Sequence, residues 1–281
     1  MNLSVNKVWA ISPAGDLATL DSRLKNNEKL RVDDFQGQCD PDRIKELNSL
    51  MAGTILRRMP RLAKLALRAA WEVRPLNETN SGLIIVTAYA SVGSTFEFLD
   101  SLINDGAALA SPTAFSHSVT NMSAAYVSQH LNLKGPSLTL TRDSFPESLE
   151  AAEALITSGQ AADLLLGVIA EASATMAEIE KTAEHIMPPP HDGAVFFHLT
   201  GASQAGGETV IEYQSPCPES AELVSQDPLA FLGASSALAL ALRLALACHQ
   251  TAGEGKDNPL QVDCGPARGS IIVKKSETAF E

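Results

Sequence analysis

The 281 residues suffice for one large or two modest domains, and a 45% share of hydrophobic side chains can fill a core. Against 33 acidic side chains stand 21 basic ones, and the formal net charge of -12 excludes an extended nucleic-acid surface. Aromatic residues, at 5%, are too few for base-stacking platforms.

In chain order, the opening MNLSVNKVWAI lacks the basic stretch, long apolar core and cleavage site of a secretory signal, so a cytoplasmic location is expected. Strand-like runs follow at KVWAI (7–11), LIIVTA (83–88), SLTLT (137–141), DLLLGVI (163–169), AVFFHL (194–199), TVIEY (209–213) and SIIVK (270–274). Several are continuous apolar runs, which marks strands covered on both faces. Helical patterns lie between them at about 42–58, 60–73, 94–104, 121–131, 147–158 and 229–249. This alternation predicts a layered α/β fold with helices on both faces of a central sheet.

Three stretches stand apart. Segment 42–74 carries Arg57, Arg58, Arg61, Lys64, Arg68 and Arg74 in an otherwise acidic chain, as either a solvated helix face or a docking site for an acidic partner. MPPPHDG (187–193) reads as an ordered loop, because three successive prolines cannot continue a helix, and 200–226 reads as a polar, Gly/Pro-rich connection. Residues 229–248 approach bilayer-spanning length, but Arg243, the Ser235 and Ser236 pair and the many alanines suit a buried helix, so no membrane contact is expected.

Cys39, Cys217, Cys248 and Cys264 are far apart and form no CxxC pair, so they are expected as reduced thiols rather than a zinc site or disulfide framework. No cofactor or metal is expected.

The run SPTAFSHSVTNMSAAYVSQHLNLKGPSLTLT (111–141) resembles the β-ketoacyl synthase pattern of a Ser-Pro loop, an Asn-Met helix start and a Gly-Pro-Ser lead into the strand before the active-site cysteine. TAYASVGSTFEFL (87–99), ALITSGQAADLLLGVIAE (154–171) and HDGAVFFHL (191–199) resemble the flanking motifs in the same order. Further on, FLGASSALALALRLAL (231–246) is similar to the Leu-Gly-Ala-Ala helix of the second half, and VDCGPARGSIIVKK (262–275) to its glycine-rich segment and strand. Almost everything the family places between Asp-Gly and Leu-Gly-Ala is missing. The resemblance implies a thiolase-like layered αβαβα fold, with residues 1–200 as the ketosynthase-like N-terminal half and 201–281 as an abbreviated C-terminal half of the same domain.

The departures bear on chemistry. Ser144 occupies the family's cysteine position, no His-Gly-Thr-Gly-Thr string occurs, and Ala230 stands where the second histidine is expected. A cysteine is partly thiolate at neutral pH, whereas a serine hydroxyl needs an adjacent base. Spacing selects none of His117, His130, His185, His191, His198 and His249 as that base, and no GxSxG surrounds Ser144. A capping box offers Ser144 another role: Ser144-Phe145-Pro146-Glu147 has the S-x-x-E pattern, with proline in the first helical turn.

A ketosynthase-like chain lacking these groups resembles the chain length factors of type II polyketide assembly. Members with a shortened second half look most like those of bacterial aryl polyene pigment pathways. The resemblance implies no independent activity, a heterodimer with an active β-ketoacyl synthase, and contact with an acyl carrier protein. It places Phe115, His117, Ser118, Val119 and Met122 at the dimer interface or tunnel wall. Two alternatives stay open: an acyltransferase, hydrolase or decarboxylase using Ser144, and a scaffold docking an acyl carrier protein through Arg57, Arg58 and Arg61.

Overall fold

The structure, a computed structural model, describes residues 2–51, 56–75, 80–141, 145–182, 191–201, 209–214, 229, 236–254, 259–264 and 270–276. Its strands are β1 (Asn2–Ser12), β2 (Gly15–Asp16), β3 (Ser81–Val86), β4 (Ser137–Leu140), β5 (Asp163–Ala170), β6 (Gly193–Gly201), β7 (Thr209–Gln214), β8 (Leu260–Asp263) and β9 (Ser270–Lys275). They form one mixed sheet in the order β4-β3-β5-β6-β1-β7-β9-β8, with β2 paired to β1. β3 runs parallel to both β4 and β5; the other pairings are antiparallel. All seven expected strands are present.

The two faces of the central strands divide by the two-residue period of a β-strand. On one face Leu83, Ile85, Leu165, Ile169 and Phe196 pack under α2 (Pro41–Leu50), α3 (Arg61–Val73) and α6 (Met122–Leu131). On the other, Ile84, Val86, Leu164, Leu166 and Phe197 meet α1 (Leu17–Lys25), α7 (Pro146–Thr157) and α9 (Ala237–Glu254). Every residue of β3 is buried, as the continuous apolar run predicts for a strand covered on both faces. Gly135 is needed where the chain turns into β4: a Cβ there would stand 2.7 Å from the Ser81 carbonyl carbon.

α9 explains how a shortened second half still closes the core. Residues 236–248 are all buried, as expected of a helix apolar all round. The helix packs against β5, β6 and β1 and also against β8 and β9. Its one cation, Arg243, is 5% exposed and donates from Nη1 to the Asp263 carbonyl at 3.0 Å. Among the described residues no helix is long and apolar enough to cross a membrane. Cys39, Cys248 and Cys264 are buried free thiols; Cys217 lies outside the described residues.

Sequence and structure differ in places. α2 ends at Leu50, because Met51 already leaves helical geometry at φ -116, ψ 45, and α9 is described only from Ala237. Helices α1, α5 (Pro112–Ser118) and α8 (Ala174–Thr182) and strand β8 were not expected from the sequence. The triple proline at 188–190 and most of the 200–226 connection lie outside the described residues.

Candidate functional site

The expected nucleophile position precedes α7. Ser144, and Ala230 at the family histidine position, lie outside the described residues, but the start of α7 is described. Its N-cap is Phe145, with Pro146 at the first helical position. The helix therefore begins one residue later than the Ser144 capping box requires, and Ser148 holds the third helical position instead of Glu147. Ser148 Oγ donates to the Phe145 carbonyl at 2.5 Å. The Phe145 ring is fully buried, its centroid 5.8 Å from that of Phe197, so it fills core volume where α7 begins.

At the C-terminal ends of β3 and β5, between α4 (Val92–Asp105), α8 and the start of α9, lies a cavity of about 50 Å³. Its polar lining is Thr87, Tyr89, Glu171, Ser173, His191 and Ser236; Met176 and Leu238 are among its apolar walls. Both serines serve as helix caps: Ser173 Oγ accepts from the Met176 N–H at 3.1 Å and Ser236 Oγ from the Ala239 N–H at 3.0 Å. Of the described histidines, His191 alone lines the cavity. His117 lies 3.2 Å from the Tyr126 hydroxyl, His130 hydrogen-bonds the Tyr126 carbonyl, and His198 pairs with Asp163 at the far end of β5.

Behind the cavity is a charged cluster that sequence reading did not assemble. Asp192, fully buried before β6, accepts from the Cys39 N–H at 2.6 Å, the Ala172 N–H at 2.9 Å and Arg61 Nη1 at 2.6 Å, and Arg61 Nη2 reaches its other oxygen. One carboxylate thus ties the start of α3, the end of β5 and the chain before α2. Arg61 Nη1 also stands 4.0 Å from Glu171. Burial, with the nearby charges of Asp192 and Glu97, raises the Glu171 carboxyl to about 7 despite Arg61. Burial first, then Asp192, pushes the Cys39 thiol up to about 12, which removes it as a nucleophile. No metal-holding group of His, Cys, Asp or Glu occurs among the described residues.

The basic segment divides in the structure. Arg57 and Arg58 are exposed before α3. Arg61 is committed to Asp192, while Arg68 is buried, paired with Glu46 and Glu72, and stacked over Trp9 at 4.5 Å. Arg74 lies over Trp71 at 3.9 Å. A single basic face across 57–74 is therefore absent, and an acidic partner would meet Arg57 and Arg58.

Segment 111–122 forms α5 and the entry to α6. Ser111 Oγ caps α5 by accepting from the Ala114 N–H at 3.2 Å. Phe115 is 57% exposed, its ring 5.6 Å from Phe98 on α4. The Ser118 carbonyl accepts from Thr95 Oγ1 at 3.0 Å, and the Val119 carbonyl from Ser91 Oγ at 3.4 Å, which fastens α5 to α4. His117, Ser118 and Val119 are half-buried. Met122 is buried in the core with α3, so it packs as a core residue within this chain. Asn121 precedes α6, but its side chain makes no cap bond; its carbonyl accepts from the Ala125 N–H.

Around α5 runs an exposed apolar face. α4 has no buried residue and turns Phe96, Leu99 and Ile103 outward, the last 79% exposed. Leu109, Phe115 and Leu138 on β4 continue it. β4 is an edge strand of the sheet, paired among the described residues with β3 alone.

Residues 31–190 match the family model described as beta-ketoacyl synthase, N-terminal domain. No curated protein matches the chain. Among solved structures, the ishigamide ketosynthase/chain length factor aligns over 98% of this chain and 99% of that one, at 17% identity and a TM-score of 0.70. AntDE:AntF, a type II polyketide acyl-carrier protein in complex with its ketosynthase bound to the hexaketide, aligns over 98% and 99% at 12% identity and a TM-score of 0.67. Ketosynthase ApeO in complex with its chain length factor ApeC, from Xenorhabdus doucetiae, aligns over 98% and 99% at 15% identity and a TM-score of 0.57. At these identities the likeness establishes the fold, the thiolase-like α/β layering of ketosynthases with an abbreviated C-terminal half.

Proposed function

The chain belongs to the β-ketoacyl synthase N-terminal domain family, and from that premise we propose that it is a chain length factor, a non-catalytic partner of an active ketosynthase. The observation that carries this reading is the exposed face of α4, α5 and edge strand β4. A helix with no buried residue and an apolar outer stripe, beside an unpaired strand edge, is costly to leave in water and suited to a partner chain. The likeness to structures of ketosynthases with chain length factors agrees with it.

On this reading residues 1–200 supply the half that meets the ketosynthase, and 201–281 form a reduced second half of the same domain. Phe115, with His117, Ser118 and Val119 behind it, stands at the interface and limits the length of the partner's product. Arg57 and Arg58 offer the acyl carrier protein a basic contact. The missing segment between Asp-Gly and Leu-Gly-Ala, by its resemblance to shortened chain length factors, supports an aryl polyene pigment as the product class, made in the cytoplasm.

The test is co-expression with a ketosynthase. Copurification as a heterodimer, with Phe115→Ala and Phe115→Trp shifting product length in opposite directions, is the expected result. A chain that elutes alone and leaves product length unchanged would overturn the reading.

A further inference from the structure

The exposed face of α4 and α5 carries charge of one sign. Between Arg74 and Lys134 the sequence contains no lysine or arginine, although the chain has 21 elsewhere. On α4, Phe96, Leu99 and Ile103 follow i, i+3, i+7 spacing and share one side of the helix. Asp100 and Glu97 project from the adjoining side, and Asp105 ends the helix; all three are exposed. The result is an apolar stripe with an acidic edge.

We propose that this acidic edge selects the occupant of the face: a different chain, presenting an apolar surface edged with lysine or arginine, rather than a second copy of this one. The proposal rests on the reading above, in which that chain is a ketosynthase. Two copies meeting through α4 and α5 would bring carboxylates together with no lysine or arginine on either helix to pair with them, in surroundings that lose water on contact. Like charges so placed cost affinity, while a basic edge on the partner turns the same groups into ion pairs. The apolar stripe supplies adhesion that either occupant could use; the carboxylates decide between them.

The experiment measures association by sedimentation at roughly 0.1 M and roughly 1 M NaCl, where the Debye length falls from about 10 Å to about 3 Å. The probes are the wild-type chain, the doubly substituted Glu97→Lys/Asp100→Lys chain, and the ketosynthase that copurifies with the wild type. Both substituted residues are exposed, so the variant is expected to fold, and circular dichroism checks that it has. The ketosynthase complex should weaken by about tenfold at high salt, and by about tenfold at low salt when the two charges are reversed. Without any ketosynthase, a mixture of wild-type and reversed chains should associate about tenfold more tightly than wild type with itself. Wild type that self-associates as tightly as the mixture, or a ketosynthase complex indifferent to both salt and charge reversal, would overturn the proposal. Failure of every ketosynthase to bind would refute the functional reading instead, and the mixing result would still decide the charge selection.

Discussion

Glu171 should make the protein lose stability as pH rises through neutrality. Its carboxyl lines a small cavity, 4.0 Å from Arg61 Nη1, with Asp192 and Glu97 adding unfavourable charge. Burial is the main cause of its rise from an ordinary 4.5 to about 7. A folded-state pKa above the unfolded value means that the folded protein binds the proton more tightly. The contribution is therefore fully present below the unfolded pKa and is lost as pH climbs through the folded one. Integrating those two values from about pH 5 to about pH 8 gives a loss of about 2.5 kcal/mol. The assay is urea denaturation of wild type and Glu171→Gln across that range. Every other ionisable group is common to the two proteins, so the difference between the two curves isolates Glu171. Wild type should lose about 2 to 3 kcal/mol more than the glutamine variant, which has no carboxyl to ionise at position 171. Curves parallel to within about 0.5 kcal/mol would show that the cavity does not disfavour the carboxylate.

Asp192→Ala should cost about 3 to 5 kcal/mol in denaturant unfolding, because it strands the Arg61 cation and the N–H groups of Cys39 and Ala172 together. Arg57→Glu with Arg58→Glu should leave thermal stability within about 0.5 kcal/mol, since both side chains are exposed, yet weaken acyl carrier protein binding to the complex in a titration at low salt. Ser144→Ala should leave pathway output unchanged, because on the proposed reading the partner ketosynthase carries the chemistry; a product yield that collapses in this variant would revive the serine enzyme.

The sheet's centre was legible because its strands are unbroken apolar runs; β3, β5 and β6 are buried along nearly their whole length, and only strands covered on both sides tolerate such composition. α5 was not, since PTAFSHS has no apolar period and its start depends on Ser111 and Pro112 alone. The Arg61, Asp192 and Glu171 cluster escaped for another reason: its members sit on α3, before β6 and after β5, and no local spacing connects them. Arg61 even read as a surface cation among other arginines. Only the side-by-side order β5-β6, with α3 across them, brings the three together. The acidic edge of α4 was equally present in the sequence, but it acquires meaning only once Phe96, Leu99 and Ile103 prove to face outward.

The cavity's size bears on where a growing chain can run. About 50 Å³ admits a few waters, whereas an apolar cavity needs about 150 Å³ to take even benzene. That cavity therefore gives an extending polyene no room, and Phe145 and Phe197 fill the core where α7 begins. If the chain sets product length, the side chains suited to it are those that a partner's tunnel can meet. Phe115 on α5 satisfies that condition and Met122, locked under α3, does not. On the proposed reading the fold needs no catalytic centre of its own: α9 keeps the second face of the sheet buried, and the exposed α4 and α5 face is the one left to act on the product.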